Sequence, residues 1–179
     1  MAVKAVLFDF DGTFADTAPD LAAAVNRMRA QRGLAPLDPA TVRPYASMGA
    51  RGMLRIAFGM TPENADYAAM RDEFLERYAE VVCVETRLFP GMAALLAALA
   101  KRGIAWGIVT NKARRFAESI LPQLAVRPAC LVCGDSTPHL KPHPAPLLLA
   151  AERLALRPSD CLYVGDDLRD VQAAHAAGM

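Results

Sequence analysis

The sequence predicts an α/β fold, a doubly wound parallel sheet carrying an inserted all-helical unit. Three observations lead there. Four short apolar runs, 5–8, 104–109, 130–133 and 161–164, each stop at polar residues or a turn, and runs without polar alternation suit strands buried on both faces of a parallel sheet. Helical patterns separate the last three, the alternation that goes with right-handed crossovers. Between the first run and the second, residues 16–85 show no convincing strand run, and that stretch is too long for a simple crossover.

Each element has its own signal. The helix expected over 91–101 carries Leu95, Leu96 and Leu99 and stops at Gly103, a residue type suited to ending helices. Phe116, Ile120 and Leu124 mark a second helix over 113–124, and Leu147, Leu148 and Ala151 a third over 144–154. Inside the insert, Leu21, Val25 and Met28 predict a helix over 20–31, and Met53, Leu54 and Ala57 one over 50–58. Tyr67, Met70, Phe74, Tyr78 and Val81 form a long amphipathic stripe over 63–82. Pro36, Pro39, Pro44 and Pro62 mark turns or first helical turns. The chain therefore divides into a discontinuous α/β core, 1–15 with 86–179, and a helical unit, 16–85.

Composition narrows the function classes. A length of 179 residues suits one domain with a smaller insert, and 54% hydrophobic against 22% charged residues supplies a buried core. Lys and Arg number 20 against 19 Asp and Glu, so the formal net charge of +1 offers no field for nucleic acid or an anionic membrane. The apolar run behind Met1 ends in Asp9, not in a small-residue cleavage site, and the apolar run 92–100 falls short of the ~18 residues a membrane span needs. A cytoplasmic, soluble protein is expected, monomer or homodimer. Cys130-Leu131-Val132-Cys133 matches a C-x-x-C spacing, but it lies in an apolar strand run without a second ligand pair. Buried small hydrophobes are the better reading.

In doubly wound sheets, ligands sit beyond the carboxyl ends of the strands. The first strand run leads into Asp9-Phe10-Asp11-Gly12-Thr13. Asp9 and Asp11, two apart, share a face in extended backbone, and their crowding invites a divalent cation. A carboxylate is also a competent nucleophile towards phosphorus. The second run ends in Thr110-Asn111-Lys112 ahead of a helix. That arrangement serves either as an anion site or as an ordinary helix cap. Lys141, before Pro142 and just ahead of a helix, can be aimed to neutralise a phosphoryl group. The last run leads into Gly165-Asp166-Asp167-Leu168-Arg169-Asp170. Magnesium prefers oxygen ligands, and Asp9, Asp166 and the backbone carbonyl of Asp11 supply a candidate set.

These four strand-end motifs, in this order, resemble the haloacid dehalogenase superfamily, and specifically its phosphatases with a helical cap inserted after the first strand. The resemblance covers essentially the whole chain. It implies a Rossmann-like core and Mg²⁺ as cofactor. It makes Asp9 the nucleophile and a metal ligand, and Asp11 the general acid/base, lending its carbonyl to the metal. Thr110, Asn111 and Lys141 hold the phosphoryl oxygens, and Asp166 completes the protein ligands. Asp170 orients Lys141 or a metal-bound water, and Asp167 is either a second acid near the metal or a supporting group. Dehalogenases of the superfamily lack the second acid of the first motif, so Asp11 argues against dehalogenation.

Asp16-Thr17-Ala18-Pro19-Asp20-Leu21 resembles the phosphoglycolate phosphatase group. Gly49-Ala50-Arg51-Gly52-Met53, Glu73-Phe74-Leu75-Glu76-Arg77-Tyr78 and Trp106-Gly107-Ile108-Val109-Thr110-Asn111-Lys112 resemble more closely its N-acetylmuramic acid 6-phosphate phosphatase branch. Both imply a small phosphate ester bearing a carboxylate, which Arg51 is the candidate to read through its guanidinium fork. Members of the family continue into a further strand and helix beyond the position of Met179, so those elements are expected to be missing from this chain. A β-phosphoglucomutase-like transferase shares cap and motifs and is the alternative reading. A phospho-accepting receiver domain would lack both the insert and the Asp-x-Asp-Gly-Thr motif.

Overall fold

The computed structural model describes residues 3–179. In chain order it contains β1 (Ala5–Phe8), β2 (Ala15–Asp16), α1 (Ala18–Gln31), α2 (Pro39–Val42), a 3₁₀ turn (Arg43–Met48), α3 (Gly49–Phe58) and α4 (Tyr67–Val81). β3 (Arg87–Leu88), α5 (Met92–Lys101), β4 (Ala105–Val109), α6 (Arg114–Gln123), β5 (Cys130–Val132), α7 (Ala145–Arg153), β6 (Cys161–Val164) and α8 (Leu168–Ala177) follow. The described residues divide into two compact units, one of residues up to Ala15 with Leu88–Met179, the other Asp16–Arg87.

The first unit is built on a four-stranded sheet of order β5-β4-β1-β6 with every neighbouring pair parallel. All of β1 is buried, as its unbroken apolar run requires. Ala5 and Leu7 point into a core shared with Val132 of β5, Leu147, Ala150 and Ala151 of α7, and Ala173 of α8. Strand alternation sends Phe8 to the opposite face. There it meets Phe14 with ring centroids 5.9 Å apart, and Phe14 stacks on Trp106 at 5.4 Å.

Register matters most for the site. Phe8 lies opposite Ile108 on one side and Val164 on the other, while Val109 lies opposite Val132. The ladder runs one residue further, for the Asp9 amide donates to the Val164 carbonyl at 2.8 Å and the Thr110 amide to Val132 at 2.9 Å. The polar residues that follow these strands are thus placed at a single edge by main-chain hydrogen bonds.

The second unit is helical. α1 packs on α3 and α4, burying Leu21, Val25, Met28, Met53, Leu54, Phe74 and Tyr78, the apolar stripes read from the sequence. Buried Asp20, in the first turn of α1, ties the two ends of this unit together. Its carboxylate accepts from the Glu85 amide at 2.9 Å, the Thr86 amide at 3.0 Å and the Thr86 hydroxyl at 2.6 Å. Among the described residues, no helix is long and apolar enough to cross a membrane.

Several expectations shift. The helix foreseen over 63–82 begins only at Tyr67, because Asn64 closes a turn by accepting from the Thr61 amide at 2.7 Å. β5 stops before Cys133, whose amide turns aside to the Ser136 hydroxyl. Both cysteines of the C-x-x-C spacing are nevertheless buried, and burial pushes each thiol up to about 11. The two-residue strands β2 and β3, which pair with each other, are too short to leave a periodic signal. α8 was not foreseen, since Asp167, Arg169 and Asp170 read as acidic loop chemistry when they also form the first turn of a helix.

Truncating Asp20 would leave three donors without their acceptor. Asp20→Ala is expected to destabilise the protein by about 2–3 kcal/mol, read from the urea midpoint, with the m-value unchanged.

Candidate active site

Asp9 follows directly on β1 and is buried. Its Oδ1 accepts from the Phe10 amide at 2.7 Å and lies 2.8 Å from the Lys141 ammonium. Burial pushes this carboxyl up from 3.8 to about 6; the Lys141 charge opposes the shift, while Asp170 and Asp11 add to it. The group is therefore poised at the border between its neutral and anionic forms until more positive charge arrives.

Lys141 is the centre of the arrangement. Besides Asp9, its Nζ reaches Asp170 Oδ1 at 2.7 Å, the Tyr163 hydroxyl at 2.7 Å and the Val109 carbonyl at 3.3 Å. Its backbone is clamped as well. The Lys141 amide donates to Asn111 Oδ1 at 2.9 Å, and the Asn111 amide group donates back to the Lys141 carbonyl at 3.0 Å. Asn111 thus carries a bracing task that its place in the sequence did not announce. Tyr163 was missed altogether: its hydroxyl lies 2.8 Å from the Val109 carbonyl and 3.2 Å from Asp170. Burial, with Asp9 and Asp170 alongside, pushes its phenol well above the ordinary range, so it stays protonated. The available signal was a phenol inside an otherwise apolar run, since a buried hydroxyl needs a partner.

Asp170 sits in the first turn of α8 and is buried. One oxygen faces Lys141 and the other accepts from the Asp167 amide at 3.0 Å, half of a capping box whose other half is the Asp167 side chain accepting from the Asp170 amide; Asp167 also accepts from the Arg169 amide at 2.8 Å. Gly165 makes room for this, because a Cβ there would collide with the Asp170 carboxylate. Asp167 caps the helix and pairs with Arg169 at 2.8 Å, whose guanidinium holds its carboxyl below the usual range. Of its two sequence readings, the supporting one matches these contacts.

Asp166 is exposed and accepts from the Thr13 hydroxyl at 2.9 Å, across 153 positions of chain. Asp9, Asp166 and Asp170 each offer an oxygen, and these lie within 4.8 Å of one another. An all-oxygen, all-carboxylate donor set suits a hard divalent cation, and the burial that raises the Asp9 carboxyl is a cost that a cation bound to it would offset. The residues present fit such an ion. The candidate set from sequence was Asp9, Asp166 and the Asp11 carbonyl, so Asp170 is the addition, although its oxygens already serve Lys141 and the helix cap.

Asp11 is buried on the turn that Gly12 makes with a φ of 84°, a conformation suited to glycine. Its carboxylate pairs with Lys112 at 2.9 Å, a contact the sequence reading missed. Thr110 is buried and its hydroxyl accepts from the Lys112 amide at 3.1 Å. The anion site imagined at the following helix start meets a competitor: the Arg114 amide, opening α6, already faces both oxygens of Asp135 at 3.3 Å. Arg51 is an exposed residue of α3 in the helical unit.

The surroundings of the strand ends and the comparisons with known proteins agree. The haloacid dehalogenase-like hydrolase model matches residues 3–178. An N-acetylmuramic acid 6-phosphate phosphatase of Pseudomonas putida is 49% identical over 99% of this chain and 81% of its own length. A phosphoglycolate phosphatase of Xanthomonas campestris is 47% identical, over 98% of this chain and 80% of its own. Among solved structures, a predicted phosphoglycolate phosphatase from Haemophilus somnus superposes with a TM-score of 0.82 at 29% identity, covering 98% of this chain and 82% of that one. With a match of that extent and its motifs gathered at one sheet edge, the chain belongs to the haloacid dehalogenase-like hydrolase family.

Proposed function

We propose that this chain is a Mg²⁺-dependent phosphomonoester hydrolase that works through an aspartyl phosphate on Asp9. The observation that carries the reading is the buried Asp9 carboxylate held 2.8 Å from the Lys141 ammonium, with Asp166 and Asp170 beside it. Phosphoryl transfer asks chiefly for charge neutralisation and in-line positioning, and the buried Lys141 ammonium beside Asp9 supports the first of these. Asp9 attacks phosphorus while the ester P–O bond breaks, and Asp11 gives its proton to the departing oxygen. Asp11 then takes a proton from a water molecule as its oxygen bonds to phosphorus, and the bond from phosphorus to the Asp9 oxygen breaks, releasing inorganic phosphate and regenerating the Asp9 carboxylate. Lys141, Thr110 and Asn111 surround the phosphoryl oxygens in this reading, with Asp170 and Tyr163 keeping Lys141 oriented. A cation held by Asp9, Asp166 and the Asp11 carbonyl would add further neutralisation of the phosphoryl charge.

The substrate proposed is a small phosphate ester with a carboxylate, 2-phosphoglycolate or N-acetylmuramic acid 6-phosphate, in line with the names of the relatives above. Asp16–Arg87 is read as the cap of this enzyme, and Arg51 as its reader of the carboxylate.

Three outcomes test the reading. Phosphate release from a panel of phosphomonoesters is expected to need Mg²⁺, to stop with a chelator, and to fall by at least about 10³-fold in Asp9→Asn; release by Asp9→Asn at the parent rate removes the covalent route. Arg51→Ala is expected to raise KM for 2-phosphoglycolate roughly ten- to a hundredfold more than for ethyl phosphate. Equal effects on the two esters would release Arg51 from that role.

The third concerns stability. Asp9 has a folded-state pKa raised from 3.8 to about 6, so the folded protein binds its proton more tightly than the unfolded chain. Its stabilising contribution is present below the lower value and is lost as pH rises through the upper one. In chelator, Asp9→Asn is therefore expected to melt at a higher temperature than the parent at pH 7 and to lose that advantage near pH 4. Thermal melts of the two proteins across that interval check it.

A further inference from the structure

Lys112 is a buried cation for which the proposed chemistry has no stated use. Its side chain is 6% exposed and that of Asp11 10%, and the ion pair between them closes at 2.9 Å across 101 positions of chain. The lysine backbone is fixed on both sides. Its amide donates to the Thr110 hydroxyl at 3.1 Å, and its carbonyl accepts from the Gly134 amide at 2.9 Å. Gly134 can approach so closely because it has no Cβ, which would collide with the Asn111 carbonyl. The ammonium also lies 5.9 Å from the ring centroid of buried Phe10, between the two acids of the first motif. A long flexible side chain is here anchored at its root by the β4 and β5 ends and held at its tip against the Asp11 carboxylate.

We propose that Lys112 is a positioning residue that sets the orientation of the Asp11 carboxyl, so that its proton is delivered to the leaving oxygen of the ester. This rests on the reading of Asp11 as general acid. A carboxyl on a turn has two free torsions, and proton transfer depends on its reaching the departing oxygen within hydrogen-bond distance. The Lys112 ammonium donates to Oδ1 and restrains those torsions, and the proton to be delivered is the one carried on Oδ2. In the step itself, the P–O bond to the alcohol breaks, its electron pair goes to the alcohol oxygen, and the Asp11 proton follows. An alkoxide leaving group needs that proton. A nitrophenolate, far less basic, leaves without it.

The consequence separates positioning from mere stability. kcat/KM for ethyl phosphate and for p-nitrophenyl phosphate is measured with Mg²⁺ in the parent, Lys112→Met, Lys112→Arg and Asp11→Asn, after circular dichroism has established that each variant is folded. Neither ester carries a carboxylate, so lost contacts to the phosphoryl group or a loosened fold lower both values together. Under the proposal, the ethyl-to-nitrophenyl ratio falls at least about tenfold in Lys112→Met, towards the ratio of Asp11→Asn, and is partly restored in Lys112→Arg. A ratio within about twofold of the parent in Lys112→Met, with Asp11→Asn still showing the fall, overturns the role of Lys112 while leaving Asp11 as the acid. An unchanged ratio in Asp11→Asn removes the acid role of Asp11 itself, and the present inference with it. If Lys112→Met does not fold, Lys112→Gln takes its place: a ratio at least about tenfold below the parent supports the proposal and a ratio within about twofold of it contradicts it.

Discussion

The buried Lys141 ammonium is the group on which the rest of the site depends. Asp9 and Asp170 approach it at 2.8 and 2.7 Å, and neither acid could be buried there as an anion without it. The fold treats this one position with unusual care. Asn111 grips the lysine backbone at both its amide and its carbonyl. Tyr163 sits against its tip, and the cap of α8 fixes Asp170 by the oxygen that the lysine does not use. Asp9 still keeps a raised carboxyl, because burial outweighs the charge of the lysine beside it. With Asp166 and Asp170 it forms an all-carboxylate set that suits a divalent cation.

What lets these groups meet is the register of the parallel sheet. β1 is buried on both faces because β4 and β6 pair with it and because α7 and α8 cover the face bearing Ala5 and Leu7. With Phe8 opposite both Ile108 and Val164, a slip of one residue in either ladder would turn the polar residues after the strand to the wrong face. Main-chain bonds from Asp9 to Val164 and from Thr110 to Val132 carry the ladder into the site itself. The proposed chemistry is therefore anchored on main-chain ladder bonds of the sheet, as precise positioning demands.

Two lysines divide the labour at this edge. Lys141 stands with Asp9 and Asp170, and Lys112 stands with Asp11. Each carboxylate of the first motif thus has its own buried cation, which explains how two acids two residues apart coexist in a dry setting. The acids of the last motif are sorted by the start of α8. Asp167 caps the helix, Asp170 completes the capping box while facing Lys141, and Asp166 is left exposed beside Thr13. A cluster that reads in sequence as redundant negative charge has three separate tasks in space.

The sequence by itself determined the four strands of the main sheet and the longer helices other than α8, because burial on both faces and amphipathic periodicity are local patterns. It also set Asp9, Thr110 and Asp166 after the carboxyl ends of strands, which a doubly wound parallel sheet directs the same way. Helix starts were less legible. Turn chemistry at Asn64 and the Asp135 carboxylate at the Arg114 amide decide where α4 and α6 begin, and hydrophobic period carries no information about either. Only the tertiary structure decided most of the partners: Lys112 on Asp11, Tyr163 on Lys141, Asn111 as a brace, Thr13 on Asp166, and, of the two tasks read for Asp170, its contact with Lys141. Those pairs are separated by as many as 153 positions. Their meeting depends on strand order, register and the first turn of α8 together, and no spacing along the chain encodes that combination.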